Sequence, residues 1–229
     1  MLISCWSAKG GAGTTVVAAA LALTLARSRP SGALLADFGG DAAAVLGVPE
    51  PDGPGIRDWL RAGPRATPDS LGRLEVDVGP GLALLPQGGP AIDPSRPGPA
   101  SADPVPVIGP LLAADARDVV ADCGTLLGPE GWDQGVRALV ATAAPTSLLV
   151  TRPCYVALRR ALRCPIRPTG VVVVREPGRA LGPAEVEDVV GVEVVACVEV
   201  DAAVARAVDA GILAARLPRA LVRQMEAVA

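Results

Sequence analysis

Histidine is absent from this chain, aromatic residues make up only 2% of it, and one lysine, Lys9, stands among its 229 residues. Without histidine, His-based acid–base catalysis and His metal ligands are excluded. The five aromatics (Trp6, Phe38, Trp59, Trp132 and Tyr155) offer too little stacking surface for binding single-stranded nucleic acid. They also require a core built mainly of Val, Leu and Ala. The formal charge of −3 gives no global attraction to DNA or anionic lipid. Five cysteines (Cys5, Cys123, Cys154, Cys164 and Cys197) form no C-x-x-C pair. Cys5, Cys123 and Cys197 fall in apolar runs, where a small buried thiol is a simpler reading than a metal ligand or disulfide. The first residues lack a basic segment leading into an apolar stretch, and the longest apolar run, residues 16–26, is too short to cross a bilayer. A reduced, cytoplasmic protein is expected.

What the chain does have is hydrophobic content, at 50%, enough for a full core and most simply for one domain over residues 1–229. Continuous apolar runs at Leu2–Trp6, Ala33–Ala36, Val119–Ala121, Ser147–Thr151, Val171–Val174 and Val194–Val198 read as strands buried on both faces. Helix candidates lie between them, at Gly55–Arg61, Val105–Ala114, Gly131–Ala141, Val156–Leu162, Pro183–Val189 and Ala202–Ala215. Alternation of this kind predicts an α/β fold: a doubly wound, mostly parallel sheet with helices on both faces and ligands at the carboxyl ends of the strands. A Pro/Gly-rich stretch at about 86–110 reads as a surface loop, because the strand pattern resumes after it.

The chemistry gathers at strand ends. The first strand runs into Lys9-Gly10-Gly11-Ala12-Gly13-Thr14-Thr15, followed by an Ala/Leu-rich helix. Backbone N–H groups of a Gly-rich turn, aimed with a helix N-terminus, cradle phosphates. Gly10, Gly11 and Gly13 permit the turn, and Thr15 places a hydroxyl at the Mg²⁺ position of such loops. Two more strands end in Asp37 and Asp122, each suited to hold Mg²⁺ through water. Strand, loop, helix and two strand-end carboxylates together point to binding of a phosphate-bearing ligand with Mg²⁺.

Lys9 through Thr15 resembles the deviant Walker A loop, K-G-G-x-G-K-[ST], of the ParA/MinD superfamily of P-loop ATPases, and the resemblance extends along nearly the whole chain. Ala36-Asp37-Phe38-Gly39-Gly40-Asp41 stands where that family carries D-x-D, and Leu82–Pro86 resembles its LPAG strand end. Val119–Asp122 resembles its Walker B strand; Thr169–Arg175 and Val198–Leu213 resemble its C-terminal strand and helix. The resemblance implies a P-loop NTPase of the SIMIBI type. It also implies a homodimer formed through the nucleotide face, in which Lys9 reaches the partner's phosphates. The implied phosphate loop is Gly10, Gly11, Ala12, Gly13, Thr14 and Thr15, the implied metal set Thr15, Asp37 and Asp122, and the implied catalytic set Lys9, Asp37 and Asp41.

The chain departs from the family pattern at three places. Thr14 replaces the lysine that grips the phosphates in cis, a loss of about 2–4 kcal/mol of phosphate or transition-state binding. Gly39 replaces the second acid of D-x-D, leaving Asp41 as its substitute. Val174 stands where many members carry an adenine-contacting asparagine, which leaves base contact to stacking by Arg175. These changes weigh against fast hydrolysis. Two functions follow: an ATP-dependent dimeric switch that positions or regulates machinery for pilus or secretion assembly, cell division or partitioning, with weak or assisted hydrolysis; or a non-hydrolysing scaffold or localisation adaptor resembling CpaE/TadZ-like proteins. A metabolic enzyme of the superfamily is disfavoured, because no substrate-site constellation appears.

Charge is unevenly spread. Residues 152–179 carry seven arginines against Glu176, and residues 180–209 carry seven acids against Arg206. Solvated helix faces account for this most simply. The functional alternative is an arginine surface for a protein partner or for DNA, with the protein partner ahead because no aromatic or basic tail accompanies it. The last segment, residues 217–228, groups Leu217, Leu221, Val222, Met225 and Val228 on one face but lacks the Phe, Trp and Lys of an interfacial helix. It is expected to pack on the domain rather than on a membrane.

Overall fold

The computed structural model describes residues 1–89, 105–126 and 132–229. Most of the Pro/Gly-rich stretch lies outside these residues. The strands are β1 (Leu2–Ser7), β2 (Ala33–Asp37), β3 (Val76–Gly79), β4 (Leu82–Leu85), β5 (Asp118–Thr125), β6 (Thr146–Thr151), β7 (Gly170–Arg175) and β8 (Val194–Glu199). The α-helices are α1 (Thr14–Ser28), α2 (Ala42–Leu46), α3 (Ile56–Ala62), α4 (Pro68–Gly72), α5 (Val105–Ala113), α6 (Trp132–Ala143), α7 (Tyr155–Ala161), α8 (Pro183–Val190), α9 (Ala202–Asp209) and α10 (Arg219–Met225).

One eight-stranded sheet forms in the order β3-β4-β2-β5-β1-β6-β7-β8. All pairings are parallel except β3 with β4. Side chains alternate across it, as the two-residue period of a strand requires. Ile3, Cys5, Leu35, Val120, Val150 and Val172 face one core, shared with α1, α2, α9 and α10. Leu2, Trp6, Leu34, Val119, Leu149 and Val171 face the other, beneath α3 to α8. Helices therefore cover both faces, and the apolar runs reflect burial on both sides. The scarce aromatics are used where they can be satisfied: Trp6 is fully buried, and its indole N–H donates to Ser147 Oγ at 3.0 Å.

The short helices α2 and α4 have no counterpart in the sequence expectation, and three further elements differ from it. β3 pairs at the sheet edge and is only half-buried, so it lacks the apolar run that marks the inner strands. α9 stops at Asp209, six residues short of the expected end. Gly211 there has φ 63°, and its backbone lies against Gly47, where a β-carbon would fall 1.9 Å from the Gly211 carbonyl oxygen. That crossing of two loops ends the helix. β5 runs on past Asp122 to Thr125, with the β1 register slipping between Cys5↔Asp122 and Trp6↔Gly124. The slip is a bulge at Cys123, a device that re-aims side chains at a strand end.

α10 packs on α1 and β8 with Leu221 and Met225 buried in the core. No helix among the described residues is long and apolar enough to cross a membrane. Cys5 and Cys123 are buried and Cys197 half-buried. Burial pushes the Cys5 and Cys123 thiols upward, away from reactive thiolate.

Candidate phosphate and metal site at the strand ends

The order of the sheet brings three strand ends together. β1 lies beside β5, and β2 lies on the other side of β5, with Asp37 directly opposite Asp122. From β1 the chain turns through Gly11 (φ 75°) and Gly13 (φ 90°) into α1. Around Gly11 a β-carbon would meet nothing within 4 Å, so glycine is required there for its left-handed backbone and not for space. α1 opens at Thr14 with no side-chain cap and no acid in its first turn. Its first N–H groups and the positive end of its dipole are thus presented to the loop.

Beside this loop lies a cavity of about 500 Å³, lined by Gly11–Val16 together with Gly39, Asp41, Gly124, Thr125 and Arg137. Asp122 is fully buried next to it. Its Oδ1 accepts the Gly124 N–H at 3.0 Å, while its Oδ2 has no hydrogen-bond partner among the described residues. Burial, and then the charge of Asp37, push its carboxyl up to about 6, against the pull of the Thr15 hydroxyl, the Gly124 N–H and Arg137. An unpaired buried carboxylate oxygen is costly unless a cation meets it. Asp122 and the half-buried Thr15 are thus a donor set of hard oxygens that fits Mg²⁺.

Asp37 is held by the backbone. Its Oδ1 accepts the Gly40 N–H at 2.6 Å and its Oδ2 the Ala42 N–H at 3.0 Å, which folds the loop after β2 around the carboxylate and caps the start of α2. Burial raises its pKa, and these N–H groups oppose the rise. Gly39 lies over both acids: a β-carbon there would fall 3.1 Å from Asp122 Oδ2 and 3.5 Å from Asp37 Oδ1. An aspartate at 39 would press a third negative group onto the pair. Asp41 is exposed and lines the cavity.

Lys9 is half-buried, and its Nζ donates to the Gly10 carbonyl at 3.4 Å. It stands near Glu176, whose carboxyl is held low by Arg179, Arg152 and Lys9. Thr14 is buried and brings no charge to the cavity. A second cavity, of about 250 Å³, opens on the other side of Gly13, walled largely by Val16, Val174, Val198, Val200 and Val204. Its lining is mainly apolar, with Arg152, Glu199, Asp201 and Asp209 also on it, and it adjoins the phosphate loop, as a base pocket would. Arg175 is not among the residues lining it; that side chain pairs with Glu199 at 3.0 Å, and Arg152 lines the cavity instead. Arg137, absent from the sequence reading, joins the phosphate cavity from α6. Its only signal in the sequence is that it is the one basic residue of its helical stretch.

No protein-family model and no curated protein matches the sequence. Solved structures do resemble it. A ParA family ATPase from Chlorobium tepidum TLS superposes with a TM-score of 0.75 at 21% identity, over 99% of this chain and 98% of that one. The septum site-determining protein MinD from Pyrococcus horikoshii OT3, complexed with Mg-ADP, gives 0.74 at 21% identity, over 99% and 93%. A substituted McdA from Cyanothece, in complex with ATP, gives 0.67 at 15% identity, over 99% and 94%. The sheet and its helices thus belong to a known architecture: the chain has the fold of the ParA/MinD ATPases.

Proposed function

We propose that the chain is a nucleotide-dependent switch that binds ATP or ADP with Mg²⁺ and dimerises through its nucleotide face to position or regulate cellular machinery. The observation that carries this reading is the orphaned, fully buried Oδ2 of Asp122 beside an uncapped helix N-terminus. One feature, buried beside the cavity, asks for a cation, and the other, at its lining, for an anion. Two solved structures of this fold hold Mg-ADP or ATP, in keeping with that reading.

In this proposal the N–H groups of Gly11–Thr15 receive the phosphates, Thr15 and Asp122 hold Mg²⁺, and the valine-walled cavity takes the base. Bound MgATP supplies a phosphoanhydride bond and a phosphate charge that differs between its two nucleotide states. Asp37 holds the loop after β2 in place, so that loop is the element able to register which state is bound. Lys9, now turned back on its own loop, is the residue that would cross to a second protomer.

The use of both Asp37 oxygens for backbone N–H groups, together with the uncharged Thr14, favours slow hydrolysis. It equally supports a second reading, a scaffold that binds nucleotide and does not turn it over. Calorimetry with ATP and Mg²⁺, light scattering and phosphate release on wild type and Lys9→Ala test both. The switch requires ATP-dependent dimers that Lys9→Ala loses, with measurable turnover. A scaffold gives nucleotide binding or dimers with no turnover. Absence of ATP binding in the wild type would sink both readings.

A further inference from the structure

A nucleotide tri- or diphosphate carries several negative charges, and the cavity that would receive it lies over two buried carboxylates and includes Asp41. The α1 N-terminus offsets about half an elementary charge. Among the described residues, the cavity lining holds one basic side chain, Arg137. It rises from α6 beside a stripe of buried residues, Val136, Val140 and Ala141, that fixes the helix on the sheet. Gly124, at φ 61°, lies directly against it: a Cβ there would sit in ordinary contact, 3.6 Å from Arg137 Nη1 and 3.5 Å from Gly39 Cα. The guanidinium thus lies over the end of β5, beside the loop that follows β2. Arg117, Arg152 and Arg175 are each engaged with a carboxylate; no ion pair engages Arg137 among the described residues.

We propose that Arg137 is the phosphate-binding cation of this site within the protomer, delivered from α6 because position 14 of the loop carries threonine. A planar guanidinium presents paired N–H donors that match two phosphate oxygens at once, where an ammonium offers a single charged point. Supply from α6 places the charge on the side of the cavity formed by β5 and the loop after β2. Arg137 therefore recognises the outer phosphates and leaves the base and the first phosphate to other groups. This assignment rests on the nucleotide reading of the cavity, and its test separates the two.

The test is calorimetric binding of ATP, ADP and AMP with Mg²⁺ to wild type, Arg137→Ala, Arg137→Gln and the double variant Arg137→Ala/Thr14→Lys, each checked by thermal unfolding. In the wild type, ATP and ADP should bind more tightly than AMP. Arg137→Ala and Arg137→Gln should each lower ATP affinity by about tenfold or more while leaving AMP within about twofold, and lysine at position 14 should restore part of the ATP preference. Unchanged ATP preference in a folded Arg137 variant would overturn the assignment while leaving the nucleotide reading intact. So would an equal loss for AMP, which marks a structural role. Failure of the wild type to bind any of the three nucleotides would overturn both.

Discussion

The two ends of β5 treat their charges in opposite ways. At its start, Arg117 donates to Glu75 at 2.7 and 2.8 Å and to Asp115 at 2.9 and 2.8 Å. Asp118 lies 3.3 Å from both the Met1 amino group and Arg29 Nε. Every acid there meets a cation from the same chain, and the Arg117 hydrogen bonds hold the Asp115 carboxyl below its usual range. Four residues after Asp118, Asp122 is fully buried with one oxygen unpartnered, and its pKa is driven up. Residue type and strand are the same; what differs is the depth of burial and the supply of counter-charge. The first end is complete as it stands, so it holds the fold together. The second is left incomplete, the condition expected of a place that takes its cation from outside.

The largest effect should come from removing the incomplete charge. Asp122→Asn should weaken Mg²⁺-dependent ATP binding by at least about 100-fold, read by calorimetry with and without Mg²⁺. It should also stabilise the nucleotide-free protein near neutral pH, by up to roughly 3 kcal/mol. The sign follows from the direction of the shift. A carboxyl whose folded pKa is raised contributes stability that is full below its unfolded value and is lost as pH rises through about 6. Asp115 has the opposite sign: its contribution is present above the unfolded value and is lost as pH falls through a depressed one. Denaturation between pH 7 and 3 should therefore show stability rising from pH 7 toward 4 and falling below it. In Asp122→Asn the rise should shrink to the part that Asp37, also raised by burial, supplies, and the acid fall should remain. A variant less stable than wild type at pH 7, with unaltered Mg²⁺ dependence, would erase the contrast between the two ends.

Next in size is the complete end. Arg117→Ala should cost about 1–2 kcal/mol, because it strands Glu75 and Asp115 together, discounted for their partial exposure. For a chain of this length that lowers the unfolding midpoint by several degrees. Nucleotide affinity should stay within about twofold. A matching loss of ATP binding would show that the start of β5 is coupled to its far end and is more than a fastening.

The sequence reveals this site unevenly, for physical reasons. Inner parallel strands are apolar on both faces, so β1, β2 and β5 announce themselves as runs, and their carboxyl ends can be found from Gly10–Gly13, Asp37 and Asp122. What the side chains do there depends on partners far along the chain. The hydrogen bonds that Asp37 accepts from the N–H groups of Gly40 and Ala42 leave no mark in the sequence. Gly39 reads as a lost acid until its place over two carboxylates is known. Arg137 was hidden because the helical pattern gives the existence of α6 but not its height along β5. Arg175 was the reverse: it follows an apolar strand in the right place, yet β8 presents Glu199 beside it.

The smallest effect should be at Asp118, and it sets the scale for the others. Its side chain is 15% exposed, but the partners on either side are 43% and 48% exposed, so water screens both interactions. Asp118→Asn should cost no more than about 0.5 kcal/mol, and raising salt to about 1 M should remove most of that difference. Asp122 should respond otherwise, since a buried carboxylate is little screened by ions in bulk water. Measuring unfolding of wild type, Asp118→Asn and Asp122→Asn at low and high salt thus compares two aspartates four positions apart on one strand. A large, salt-insensitive loss at Asp118 would mean that the start of β5 also depends on a buried charge. A salt-insensitive gain at Asp122 alone is what a strand fastened at one end and poised at the other should give.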